Sequence, residues 1–63
     1  MKYDVYKGTA EDMRNCEGEL IGRKVSATGI ARFADNDAGL AERLIDGELV
    51  STSKGTIWIE EAM

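Results

Sequence analysis

From Asp37 to Gly47 the sequence reads as one short amphipathic helix, and the other elements must be arranged to cover its single apolar stripe. Asp37 is a good N-cap, because its short carboxylate can accept hydrogen bonds from the free N–H groups of a first turn. Leu40, Ala41, Leu44 and Ile45 recur at helical spacing and form one stripe. Gly47 stands where a helix closes in the left-handed conformation. Glu42 and Asp46 lie one turn apart and point away from the stripe into solvent. So short a helix is stable only when that stripe is packed against something else. In a chain of 63 residues there is room for one core, so residues 1–63 are expected to form a single domain.

The remainder supplies strands. Tyr3 and Val5 alternate with polar residues until Gly8, which predicts a strand from Lys2 to Lys7. Thr9 with Asp12 is a short form of the capping box, and Met13, Cys16 and Leu20 follow at helical spacing. Gly18 limits that helix to about one and a half turns. Residues 23–34 fit two periods. With period two, Val25, Ala27, Ala31 and Phe33 share a face, which gives a long strand with Gly29 as a bulge or bend. With period 3.6, Ile30, Phe33 and Ala34 form a helical stripe. Gly29 and the Val25-Ser26-Ala27-Thr28 start favour the strand. Leu49 to Thr52 and Thr56 to Glu60 read as two strands joined through Ser53-Lys54-Gly55. The expected fold is therefore α+β: a small antiparallel sheet of three to four strands with one main helix, near residues 38 to 46, packed on one face.

Composition removes most chemistry. The chain has no His, so it has no imidazole base and no Cys-plus-His zinc site. Cys16 is the only cysteine and cannot form an internal disulfide. With no His to activate it and acids at 17 and 19, it is expected to be a half-buried structural thiol. Asp35-Asn36-Asp37 starts like a calcium loop, but an EF-hand needs Gly where Leu40 stands and Glu where Asp46 stands. A loop followed by a helix cap is the better reading, and no metal or cofactor is expected. Gly18-Glu19-Leu20-Ile21-Gly22 lacks the spacing of a phosphate loop and is expected to be a turn. An enzyme would have to work with carboxylates alone, such as Glu42 with Asp46 on an open helix face. No enzyme is expected. Nothing near Met1 resembles a signal peptide, and no stretch approaches the ~18 apolar residues of a membrane span. The cytoplasm of the producing or host cell is the expected compartment.

The net charge of −4 is unevenly placed. Residues 1–31 hold five bases and five acids, whereas residues 32–63 hold three bases and seven acids. The whole excess lies in the second half. A phosphate backbone is a poor partner for that half and a basic protein surface a better one. The candidate partner-binding residues are Asp35, Asp37, Glu42, Asp46, Glu48 and Trp58. If Ile57 and Ile59 face the helix, strand alternation places Trp58 on the opposite side. There it is an exposed anchor for a partner; the alternatives are a reversed register, or a core ring covered by Tyr3 and Tyr6.

Two resemblances bear on function. Ile30-Ala31-Arg32-Phe33-Ala34 followed by Leu40-Ala41-Glu42-Arg43-Leu44-Ile45-Asp46-Gly47 resembles the helix-turn-helix of bacterial repressors, and the hairpin after it resembles the wing of winged-helix domains. That resemblance implies duplex DNA binding and a helix from Thr28 to Ala34. It departs from the family at Asn36, where a buried aliphatic belongs, and at Asp35 and Asp37, which would face phosphates. Direct nucleic-acid binding is therefore not the favoured expectation. The order Ala31-Arg32-Phe33, Asp37, Ala41-Glu42-Arg43-Leu44-Ile45, Gly47 and a final strand resembles small phage and prophage accessory proteins. That resemblance implies a non-enzymatic binding role, as an adaptor or an inhibitor. A third expectation is a structural homo-oligomer that uses Trp58 or an open strand edge.

Overall fold

In a computed structural model that describes residues 1–62, the chain runs β1 (Lys2–Lys7), α1 (Ala10–Asn15), β2 (Glu19–Ser26), α2 (Ala27–Phe33), α3 (Ala38–Ile45), β3 (Val50–Thr52) and β4 (Gly55–Ala62). The strands form one antiparallel sheet in the order β2-β1-β4-β3. The fold is α+β. Helix α2 lies over β2 and β1, and α3 lies over β3 and β4. Both helices cover the same face, because the core joins Val5, Val50, Ile57 and Ile59 of the sheet to Ile30, Ala34 and Leu44 above them.

Local chemistry explains where the elements begin and end. At α1, Thr9 Oγ1 accepts the Asp12 N–H at 3.1 Å and the Asp12 carboxylate accepts the Thr9 N–H at 2.9 Å. This is the reciprocal capping box that Thr9-x-x-Asp12 predicts. Cys16 closes the helix in the left-handed region (φ 58°) and is exposed, not the half-buried thiol expected. At the far end of α3, the Gly47 N–H donates to Leu44 O and the Glu48 N–H to Arg43 O, with Gly47 at φ 90°. These are the two bonds of a Schellman closure.

Residues 23–34 do not form one strand. The chain leaves the sheet at Ser26, whose hydroxyl caps α2 by accepting the Gly29 N–H at 3.2 Å. Gly29 is not a bulge. A Cβ there would sit 2.7 Å from Val25 Cγ1, so glycine lets the first turn of α2 fold tightly back on the end of β2. The bulges lie earlier. Arg23 and Lys24 stand opposite the single Asp4, with Lys24 at φ 50° and its N–H donating to Asp4 Oδ1 at 3.0 Å. Ile21 is the extra residue between the pairs Tyr6–Leu20 and Val5–Gly22. The expected turn at Gly18–Gly22 is thus the start of β2, with Leu20 in strand rather than on a helix face.

The face away from α2 and α3 is not bare. Trp58 stacks on Tyr6, its partner across β1 and β4, with ring centroids 5.9 Å apart and planes 17° from parallel. Gly18 lies directly on the indole, where a Cβ would come within 2.4 Å of two ring carbons. Trp58 is 1% exposed.

Candidate functional site

Among the expected contact residues, the structure separates those with internal tasks from those presented outward. Asp35 follows α2 in the left-handed region (φ 56°), a conformation that Asp tolerates. Its carboxylate accepts the Ser53 N–H at 2.9 Å and the Ser53 hydroxyl, tying the α2–α3 loop to the turn between β3 and β4. The Lys54 ammonium, in the same turn, donates to Arg32 O at 2.9 Å at the end of α2. The hydroxyl and then the backbone N–H of Ser53 hold the Asp35 pKa below its ordinary value; the smaller effect of desolvation opposes them, and Lys54 assists.

That shift has a definite sign. A carboxyl whose folded pKa is depressed contributes stability above its unfolded pKa and loses it as pH falls through the folded value. Asp35→Asn should therefore lower the melting temperature at neutral pH. The difference from the parent protein should shrink as pH is taken below about 4. Thermal melts followed by circular dichroism between neutral and acidic pH check this.

Asp37 is the N-cap that its position predicts, accepting the Gly39 N–H at 2.8 Å and the Leu40 N–H at 3.2 Å through Oδ1. Glu48 accepts Arg43 Nε at 3.2 Å in an ion pair of which each side chain is about half exposed (51% and 49%). Such a pair contributes at most about 1 kcal/mol, but it neutralises the one base of α3. Glu42 and Asp46 are exposed, and neither makes an ion pair or a side-chain hydrogen bond among the described residues.

Trp58 is corrected. Alternation does place it opposite Ile57 and Ile59, but Tyr6 and Gly18 seal the ring, and its Nε1 donates to Glu60 at a long 3.4 Å. It is a packing residue with no surface to offer a partner. Ile45 belongs to the apolar stripe by spacing, yet it is 46% exposed while Leu44 beside it is fully buried. The inward arc of α3 is set by Leu40, Ala41 and Leu44, and Ile45 falls at its edge. The signal lay in the spacing: Glu42, Ile45 and Asp46 are helix neighbours at three and four residues. The candidate surface is therefore the outer side of α3, an exposed aliphatic beside two unpartnered carboxylates, with Asp37 and Glu48 at its ends.

The strand edges offer little for self-pairing. β3 has three residues, and β2 carries two bulges and the bases Arg23 and Lys24. Short length, bulges and charge each discourage edge-to-edge contact. No helix among the described residues is long and apolar enough to cross a membrane. Comparison with protein-family models, curated proteins and solved structures finds no match to this chain.

Proposed function

We propose that this chain is a small acidic, non-enzymatic binding protein of the cytoplasm, an accessory or inhibitor protein of phage or mobile-element type. It docks the outer side of α3 on a basic surface of a larger protein, one that itself handles nucleic acid. The observation that carries this reading is the trio Glu42, Ile45 and Asp46. Two carboxylates with no side-chain partner among the described residues flank an aliphatic side chain that is 46% exposed. An apolar contact rimmed by charge is the small-scale form of an interface, and the carboxylates would act mainly on encounter rate and on the choice of partner. Asp35, Asp37 and Glu48 add to the field while keeping their structural tasks.

The test is affinity capture from host lysate at low and high salt, with the tagged protein and its E42K/D46K variant. The expected result is a basic protein that salt elutes and that the variant retains about tenfold less well. A partner indifferent to salt and to the reversal, or none, overturns the reading.

One observation favours the DNA-binding alternative: α2 spans Ala27–Phe33, close to the helix that the winged-helix resemblance requires, and a hairpin follows α3. Against it stands the charge of α3, whose only base is paired with Glu48. An electrophoretic shift of duplex DNA at low salt, abolished at high salt, would support that alternative over protein docking.

A further inference from the structure

The chain between β1 and β2 is tied to itself rather than to the sheet. Its flanks, Lys7 and Glu19, are paired neighbours across β1 and β2, so residues 8–18 leave and re-enter the sheet at one place, as a compact surface loop. Among the described residues, no hydrogen bond of residues 9–17 reaches outside that span. Thr9 and Asp12 form the capping box, the Met13 N–H donates to Thr9 O at 3.0 Å, and the Glu17 N–H donates to Asp12 O at 2.9 Å. No residue of the span forms an ion pair among the described residues, and α1 has no buried residue. What rests on the sheet is Gly18. A Cβ there would meet Trp58 Cζ2 and Cη2 at 2.4 Å and Tyr6 Cβ at 3.1 Å, so bare backbone covers the aromatic pair. Gly18 is not at positive φ; its missing side chain serves this close approach.

We propose that residues 8–18 are a hinged strap over Tyr6 and Trp58, which opens as a unit while the four-stranded sheet stays folded. Segments with few buried apolar groups open locally, at a free energy below that of global unfolding. Residues 9–17 carry their own hydrogen bonds with them, so opening breaks none of these. The two ends of the strap need not separate, because β1 and β2 hold them side by side. The contact given up is that of Gly18 on the indole. The sheet survives because Val5, Ile57 and Ile59 pack under α2 and α3 on its other face, and Tyr6 keeps its stack on Trp58. Opening bares the outer ring of Trp58 and the adjoining side of Tyr6, an aromatic surface that the closed form hides. The strap lies on the sheet face opposite α3, and its opening does not depend on docking through α3.

Native-state hydrogen exchange on the full chain reads the opening. The Met13, Cys16 and Glu17 amides, each hydrogen-bonded within the strap, are expected to exchange about a hundredfold faster than the amides of β1 and β4. The indole Nε1–H of Trp58 should exchange at the rate of the strap, although Trp58 itself belongs to β4. Trp58 is the only tryptophan of the chain, so acrylamide quenching of its emission reads the cover. Gly18→Ala keeps the strap from seating, because its methyl group would overlap the indole. It is expected to raise quenching severalfold while the amides of β1, β4 and α2 keep their protection. Exchange of the strap amides in step with the sheet overturns the proposal. An indole N–H that follows the sheet also overturns it, since α1 would then fray without uncovering Trp58. So does a folded Gly18→Ala protein with unchanged quenching. If that variant does not fold, the wild-type exchange of the strap amides and the indole decides by itself.

Discussion

Trp58→Ala is expected to remove most of the stability of the domain. A chain of this length has about 3–9 kcal/mol in total, and truncating a buried Trp costs about 3–5 kcal/mol. The physical reason is that Trp58 forms the centre of a second, smaller core. The first core, under α2 and α3, holds Val5, Ile30, Leu44 and Ile57. The second consists of the indole, the ring of Tyr6 stacked on it and the backbone at Gly18 laid over it. This contact fastens the segment that carries α1 to the sheet, and α1 itself has no buried residue. Removal of the ring leaves Tyr6 without its stacking partner and Gly18 over a void. Urea and thermal unfolding followed by circular dichroism should show a large loss, with Trp58→Phe in between. An exposed anchor would behave otherwise, since surface substitutions usually change stability by less than about 0.5 kcal/mol.

What could be read from the sequence follows the distance over which each signal acts. Thr9 with Asp12, Asp37 with Gly47, and Ser53-Lys54-Gly55 are settled within four residues or one helix length, and the structure has all three features. The opposite placement of Trp58 from Ile57 and Ile59 follows from strand alternation, which is also local. Which way its ring was covered is not local, because Gly18 is forty positions away in the chain. Gly29 is ambiguous for the same reason: a strand bulge and a close helix-to-strand approach both demand glycine, and only the position of Val25 tells them apart. The acidic residues look alike as letters. Asp35 becomes a clasp through Ser53, eighteen residues on, while Glu42 and Asp46 remain outward. Ile45 matched the apolar stripe in type, and only the packing of a narrow helix on a small sheet left it half in solvent.

Ile30→Ala should be the second severe substitution, and it also discriminates between the two periods that residues 23–34 allow. In the strand reading, Val25, Ala27, Ala31 and Phe33 share the inward face, so Ile30 points the other way and its truncation is nearly neutral. In the structure Ile30 is fully buried in α2 and meets the core together with Ala34 and Leu44. Large-to-small changes at such a site cost about 2–5 kcal/mol. The loss should be near the upper part of that range, because α2 has little else to sustain it. It is seven residues long and contains Gly29, and an interior glycine costs about 1 kcal/mol relative to alanine. Its helical state is therefore maintained by tertiary packing, chiefly by Ile30 and by Phe33, whose ring fills the space over Gly22. Ile30→Val should cost only about 0.5–1.5 kcal/mol, since it keeps most of the contact. Hydrogen exchange on the alanine variant should show protection lost first at the α2 amides and then in the sheet. Uniform retention of protection across residues 27–33 would mean that α2 does not depend on its contact with the core.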